Sequence, residues 1–324
     1  MKILVTGGLG FIGHNVVRVL ESFRHEVAII DNKTTYGIIP PAELDYLILE
    51  RLCRINTRNI TVANIEDPFD DSIFEGVDVV IHLASFPRQK VVNNNPTWGS
   101  RVMSEGLLNL LELSVKHKIK KFVYVSSSMV YGNFGKHEFF DGIDEAADCR
   151  PMGQYGIMKL AGEWLVQDYS RQYNLDYTII RPSAVYGPYD VEDRVVSKFL
   201  LTAIRGEEII VNGKDDELDF TYVDDVATGI ALAAISNDTL NGTYNITRGI
   251  SRTLLDAAEL AVKIVGQGTI RINPRDKTFP SRGQLNTLRA KNDFGYYPVV
   301  NIEEGFQEYY DWLVNSFYGV KETV

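Results

Sequence analysis

Two cysteines, Cys53 and Cys149, are all that the 324 residues contain. They form no C-x-x-C pair and stand at no metal-ligand interval from a histidine, so neither a disulfide framework nor a bound metal is expected. A reducing, cytoplasmic location fits this usage. No apolar run approaches the roughly 20 residues that a bilayer-spanning helix needs. Met1 leads straight into the strand-like MKILVTGG with no basic n-region and apolar h-region, so neither membrane insertion nor secretion is expected. Positive charge is also in deficit: 33 Lys and Arg against 43 Asp and Glu give a formal net charge of -10. Nucleic acid and anionic membrane are recognised by concentrated Lys and Arg, so neither is an expected partner, and any anionic ligand must be held locally. There is no internal repeat or low-complexity tract. The acidic stretch Asp141 to Asp148 reads as a solvated loop.

What the chain does have is apolar material, 45% of its residues against 23% charged, enough for one large core and a smaller second one. Short runs recur at KILVT, EVAIID, VDVVIHLA, KFVYVSS and YTIIRP. They are rich in Val and Ile and lack polar alternation, the pattern of parallel strands covered on both faces. Helical spacing fills the intervals at 11–22, 98–117 and 155–173, as parallel strands require of their crossovers. The first half is therefore an α/β, Rossmann-type doubly wound parallel sheet. After Pro182 the alternation loosens into shorter elements, with helical patterns at 195–205, 224–236, 253–266 and 302–319. The expected division is a cofactor domain over 1–181 and a smaller C-terminal α/β substrate domain over 182–324, with some interleaving of segments. Residues Tyr36 to Arg58 read as an insertion after the second strand, to which no role can be given.

The strand KILVT runs into Gly7, Gly10 and Gly13, which open a helix. In that context Gly7 permits the tight turn, Gly10 lets a pyrophosphate approach the backbone, and Gly13 allows close helix packing. Asp31 closes the second strand at the offset where an acid accepts hydrogen bonds from adenosine ribose hydroxyls. Its charge would repel a 2′-phosphate, so NAD is expected rather than NADP.

Ser127 stands at the end of the strand KFVYVSS, and Tyr155 and Lys159 lie four apart on one helix face. A cation beside the phenol would favour the phenolate and pull Tyr155 below its ordinary value of about 10, with Ser127 orienting the reacting hydroxyl. Together with TGGLGFIG, HLAS, SSSMVYG, YGIMK, RPSAVYGP and DFTYVDDV, these residues make the chain resemble the extended short-chain dehydrogenase/reductase family, and within it the nucleotide-sugar epimerases and dehydratases. The likeness runs over nearly the whole length. It implies Tyr155 as acid and base, Lys159 as its cofactor-bound partner, and Ser127 as the contact between tyrosine and sugar. It further implies cofactor contacts from Gly7, Gly10, Phe11, Ile12, Gly13, Asp31, Asn32, Asn64, Ile65, Leu83, Ala84, Tyr155 and Lys159. His82 beside them reads as a satisfied core histidine and is not assigned a catalytic role.

Aligned on SSSMVYG, the resemblance also sorts reactions. The family's 4,6-dehydratases carry Asp-Glu where this chain has Ser128 and Met129, its glucuronate decarboxylases carry Glu at the Met129 position, and its 3,5-epimerases and fucose synthases place a Cys nearby. A 4-epimerase needs no further acid. The expected activity is therefore a nucleotide-sugar 4-epimerase with retained NAD. The rivals are a 4-keto-sugar reductase using NADPH, which Asp31 disfavours, a dehydratase or decarboxylase of the same family, and a non-catalytic NAD-binding sensor. Ala184, Leu218 and Met103 depart from the family's usual Asn, Arg and Asn, and the first two normally touch the nucleotide diphosphate. The substrate contacts expected here are Arg88, Arg194 and Arg282, whose guanidinium forks suit phosphate oxygens, with Ser127 and Ser128 at the sugar. A homodimer is implied by resemblance alone.

Overall fold

A computed structural model describes residues 1–86, 89–135, 141–190 and 194–320. Seven strands form one sheet: β1 (Lys2–Thr6), β2 (Glu26–Asp31), β3 (Ile60–Val62), β4 (Val79–His82), β5 (Lys121–Val125), β6 (Asp176–Pro182) and β7 (Gly242–Ile246). Their order is β7-β6-β5-β4-β1-β2-β3, and every neighbouring pair is parallel. The absence of polar alternation now has its cause. Ile3 and Val5 of β1 enter one core with helices α1 (Phe11–Ser22) and α6 (Val223–Ile235), while Leu4 between them enters another with α3 (Gly106–Lys116) and α4 (Gln154–Tyr173). Both faces are covered, so every strand position pays in apolar area.

The last sheet strand and α6 come from the C-terminal half of the sequence, so the two halves share one sheet. A second core collects α5 (Val195–Ile204), α7 (Leu254–Val265) and α8 (Ile302–Asn315) around Phe199, Leu200, Phe220 and Phe306. The pattern over 98–117 is not one continuous helix. A π-helical turn at Arg101–Glu105 separates the short helix Pro96–Ser100 from α3. At that join Gly106 lies against Ile65, whose Cγ1 would stand 2.7 Å from an added Cβ.

The insertion resolves into a helix, α2 (Pro41–Cys53), opened by Pro at its first position, where the missing N–H costs nothing. Its buried residues are Glu43, Leu47 and Arg51, four apart on one face. Glu43 accepts a 2.5 Å hydrogen bond from the Tyr318 hydroxyl, Tyr46 stacks on Phe317, and Leu47 clusters with Ile39 and Trp312. Two of the three buried positions are charged, which is why hydrophobic periodicity left the segment without a role. It is a strut joining the sheet to the C-terminal helices.

Candidate active site

Strand order reverses between β1 and β4, and in such sheets ligands bind outside the carboxyl ends of the strands at that point. A cavity of about 600 Å³ opens there, bounded by the loops that follow β1, β2, β4, β5 and β6. Its floor is the glycine loop. Gly7 has φ +70°, and a Cβ on it would stand 2.7 Å from the Ala84 nitrogen. A Cβ on Gly13 would stand 2.0 Å from the Gly7 oxygen, whereas one on Gly10 would meet only that oxygen at 3.0 Å and otherwise face the open cavity. No side chain caps α1 at Gly10, so its first-turn amides face the cavity side as an anion cradle. Asp31 holds the loop from the side: its carboxylate accepts from the Leu9 N–H at 2.9 Å and the Lys33 N–H at 2.7 Å. Burial pushes its pKa up while those two bonds pull it back. Each oxygen keeps a lone pair for a ribose hydroxyl. These residues fit a dinucleotide.

Replacing Asp31 by Arg is expected to weaken NAD binding about 10- to 100-fold, the worth of hydrogen bonds to a charged acceptor, and to favour NADP. Calorimetric titration of both dinucleotides reads the ratio. Unchanged NAD preference would remove Asp31 from the cofactor site.

Ser127 follows β5, and Tyr155 and Lys159 occupy successive turns of α4. The two motifs meet because residue 156 is glycine, where a Cβ would stand 2.7 Å from the Met129 carbonyl oxygen. The helix thus packs directly on the SSSMVYG turn. Ser127 and Tyr155 both line the cavity. Contrary to expectation, Tyr155 is shifted up. Burial raises its pKa, and what opposes burial is the Arg194 charge and the Ser127 hydrogen bond. Lys159 contributes less than expected because its ammonium points elsewhere, donating to the Val125 carbonyl at 2.8 Å and standing 5.9 Å from the Tyr155 ring centre. Burial lowers Lys159 to about 8, with Glu163 opposing.

Of the remaining assigned contacts, Phe11, Ile12, Asn32, Ile65, Leu83, Ala84, Ser128, Arg194 and Arg282 line the cavity. Asn64 does not. It accepts from Asn32 at 3.1 Å and donates to Asp67 at 2.9 Å, beside a neighbouring groove. Arg88 lies outside the described residues. Arg194 pairs with the buried Asp190 at 3.1 Å and lies 5.9 Å from the Phe11 ring centre. Burial lowers Arg282 to about 10, against the pull of Asp216. His82 is the core histidine it was read to be, bonded to the Thr6 hydroxyl at 2.8 Å and held neutral by burial, with a pKa of about 3. Met129, Ala184 and Leu218 line the cavity, whereas Met103 is buried in a cluster with Phe86, Val92 and Val102, and Ala184 adopts φ +32°.

Two cavity residues had no signal in the sequence. Arg51, on the α2 strut, is buried and donates to the Leu9 carbonyl at 3.0 Å and twice to the Tyr189 carbonyl at 2.7 and 3.2 Å. It ties the glycine loop to the segment leading to Arg194. Ser183 is buried on the wall with Ser128, and among the described residues neither hydroxyl has a hydrogen-bond partner.

The family model for the NAD dependent epimerase/dehydratase family matches residues 3–247. A putative UDP-glucose 4-epimerase of Methanocaldococcus jannaschii is 31% identical over 97% of this chain and 99% of its own length. Among solved structures, the Bacillus cereus UDP-glucuronic acid 4-epimerase with UDP-glucuronic acid and NAD superposes with a TM-score of 0.88 at 25% identity, over 97% of this chain and 99% of that one. The Thermotoga maritima UDP-glucose 4-epimerase with UDP-glucose gives 0.82 at 28%, again over 97% and 99%. The glycine loop, Asp31, Ser127, Tyr155 and Lys159 thus sit in a fold shared with these enzymes over 97% of this chain, and NAD is the cofactor that the loop and Asp31 fit. The chain belongs to the NAD dependent epimerase/dehydratase family.

Proposed function

We propose that this enzyme is a nucleotide-sugar 4-epimerase that retains its NAD, with Ser127, Tyr155 and Lys159 as its catalytic residues. The observation that carries the reading is the composition of the cavity wall. Ser127, Tyr155 and Lys159 share it with the glycine cradle, and the position two residues after Ser127 is the apolar, buried Met129. A dehydratase or decarboxylase would need an acid there. Held by the glycine loop and Asp31, NAD would supply reversible hydride acceptance at C4 of the sugar. Tyr155, deprotonated with the help of the Arg194 charge and the Ser127 hydroxyl that oppose its burial, accepts the C4 hydroxyl proton and hands it back. Ser127 donates to the same oxygens and aligns them, and Lys159 keeps positive charge behind the phenol. No second acid or base is required, because the free carbonyl at C4 can present either face on return of the hydride.

In this reading residues 1–181 hold the cofactor, with β7 and α6 lent back to the sheet, and residues 182–324 hold the nucleotide sugar. Arg194 and Arg282 take the diphosphate in place of the Asn and Arg that Ala184 and Leu218 replace. Ile157 and Trp164, seven residues apart on α4, are 53% and 62% exposed, which supports a homodimer through that helix face.

The test has two arms on the purified protein. Denaturation should release close to one NAD per chain. Incubation with UDP-, GDP-, dTDP- and CDP-sugars, without added cofactor, should interconvert a pair of C4 epimers. A protein that arrives empty, leaves every sugar unchanged and reduces a 4-keto sugar with NADPH would be a reductase, and the epimerase reading would be abandoned.

A further inference from the structure

One buried ion pair beneath the site has no part in the chemistry above. Glu163 lies on α4, one turn beyond Lys159, and is 2% exposed; Arg181, on β6, is 5% exposed. The Glu163 carboxylate accepts from Arg181 Nε at 3.0 Å, from Arg181 Nη2 at 2.6 Å and from the Ser126 hydroxyl at 2.5 Å. Ser126 immediately precedes Ser127. Arg181 immediately precedes the Pro182–Ala184 stretch that forms the cavity wall beside it. The strands carrying them are neighbours, with Val125 opposite Ile180, and the Ser126 N–H donates to the Ile180 carbonyl at 2.7 Å. One carboxylate thus holds the tips of two strands against the helix that presents Tyr155 and Lys159.

Stability is a poor reason for such a pair. Taking two charges out of water costs about as much as their attraction returns, and well-packed apolar replacements are often as stable. What a carboxylate with three fixed donors supplies is direction. The β5 tip is in fact held on two successive turns of α4, by Lys159 at the Val125 carbonyl and by Glu163 at Ser126. The approach is close enough that a Cβ on Gly162, between those turns, would stand 2.2 Å from the Tyr124 hydroxyl.

We infer that Glu163 is a positioning residue, whose carboxylate locks the ends of β5 and β6 onto α4 and so sets the separation of Ser127 from Tyr155 and Lys159. The inference rests on the reading of those three residues as the catalytic set. The groups that face Glu163 are Lys159 on its own helix, Tyr124 from β5, Arg181 and Tyr177 from β6, and Cys149 from the preceding loop. Of these, Lys159 is the one whose charge the reaction uses.

The decisive variant is E163L/R181M, which replaces the pair by apolar side chains and removes the lock without stranding a buried charge. It should fold and retain NAD, yet lose about a hundredfold in kcat at little changed KM, the cost of a displacement near 1 Å between reacting groups. The alkaline limb of kcat is expected near pH 8 in the parent, since burial lowers Lys159 to about 8, and should move to lower pH in the variant, where the carboxylate that favours the charged lysine is gone. Titration of the Lys159 13Cε resonance should show the same downward shift. If the double variant does not fold, E163Q is read in its place. Should the parent interconvert no sugar, the epimerase reading fails by itself, and hydrogen exchange at the Ser126 amide, which bonds the Ile180 carbonyl at 2.7 Å and should lose protection in the variant, still decides the lock. Parent-like kcat and pH profile, or an unshifted Lys159 midpoint, would overturn it.

Discussion

Replacing Tyr155 by Phe is expected to lower kcat by about a thousandfold, within the range a single positioned acid-base group supplies, while the protein keeps its fold and its NAD. The change removes one oxygen. The ring itself packs against a cluster of Phe86, Val92, Val102 and Met103 with Met158 beside it, which a phenyl group fills equally well. The Ser127 hydroxyl keeps its bond from the Met129 N–H at 3.2 Å, and losing the phenol as a polar neighbour costs at most about 1 kcal/mol, too little to unfold a chain of this size. The measurement is kcat and KM beside NAD released on denaturation. Because only proton transfer is lost, KM should move less than threefold. A variant that keeps a tenth or more of parent turnover would show that another group carries the proton, and the cavity offers few: Asp31 is spoken for by two backbone amides, and Asp190 by Arg194.

That prediction could be written from the sequence, and the reason shows where such reading works. Gly7, Gly10, Gly13 and Asp31 belong to one strand-turn-helix-strand unit, and Tyr155 and Lys159 to one helix turn. Their relation is set by local geometry, which a spacing expresses directly. The parallel sheet was legible for a similar reason, since burial on both faces removes polar alternation within each strand. What escaped depends on contacts between distant segments. Arg51 reaches Leu9, 42 positions away, and Tyr189, 138 positions away, and nothing in PAELDYLILERL marks one arginine as buried. Glu163 finds Ser126 and Arg181 only because β5 and β6 are adjacent. The electrostatics of the phenol escaped too. Spacing put Lys159 beside Tyr155 but could not show that its ammonium bonds the Val125 carbonyl, or that Arg194, brought in from the second core, is the charge that opposes burial.

The glycine loop allows the second large effect to be separated into its parts. Gly13→Ala places a methyl 2.0 Å from the Gly7 oxygen and 2.9 Å from both the Gly7 carbonyl carbon and the Gly8 Cα. All three are backbone, so no rotamer change relieves the overlap, and the loop must leave α1. Overpacking of this kind costs about 1–3 kcal/mol or more, or roughly 5 °C in Tm for a chain this long. The displacement also carries Leu9 away from Asp31 and Arg51, which bond its N–H and its carbonyl, so the glycine loop and Asp31 come apart together. NAD recovered on denaturation should fall at least tenfold, and epimerisation with it. Gly10→Ala is the control, because its methyl would meet protein only at the Gly7 oxygen, 3.0 Å away, and otherwise project into the cavity. It should lower Tm less than Gly13→Ala does and still lose NAD, since the space it fills is the space assigned to the pyrophosphate. If Gly10→Ala retained NAD at the parent level, the dinucleotide would have to lie elsewhere in the cavity. If Gly13→Ala lost stability but not NAD, the loop would tolerate more movement than its contacts with Asp31 and Arg51 allow.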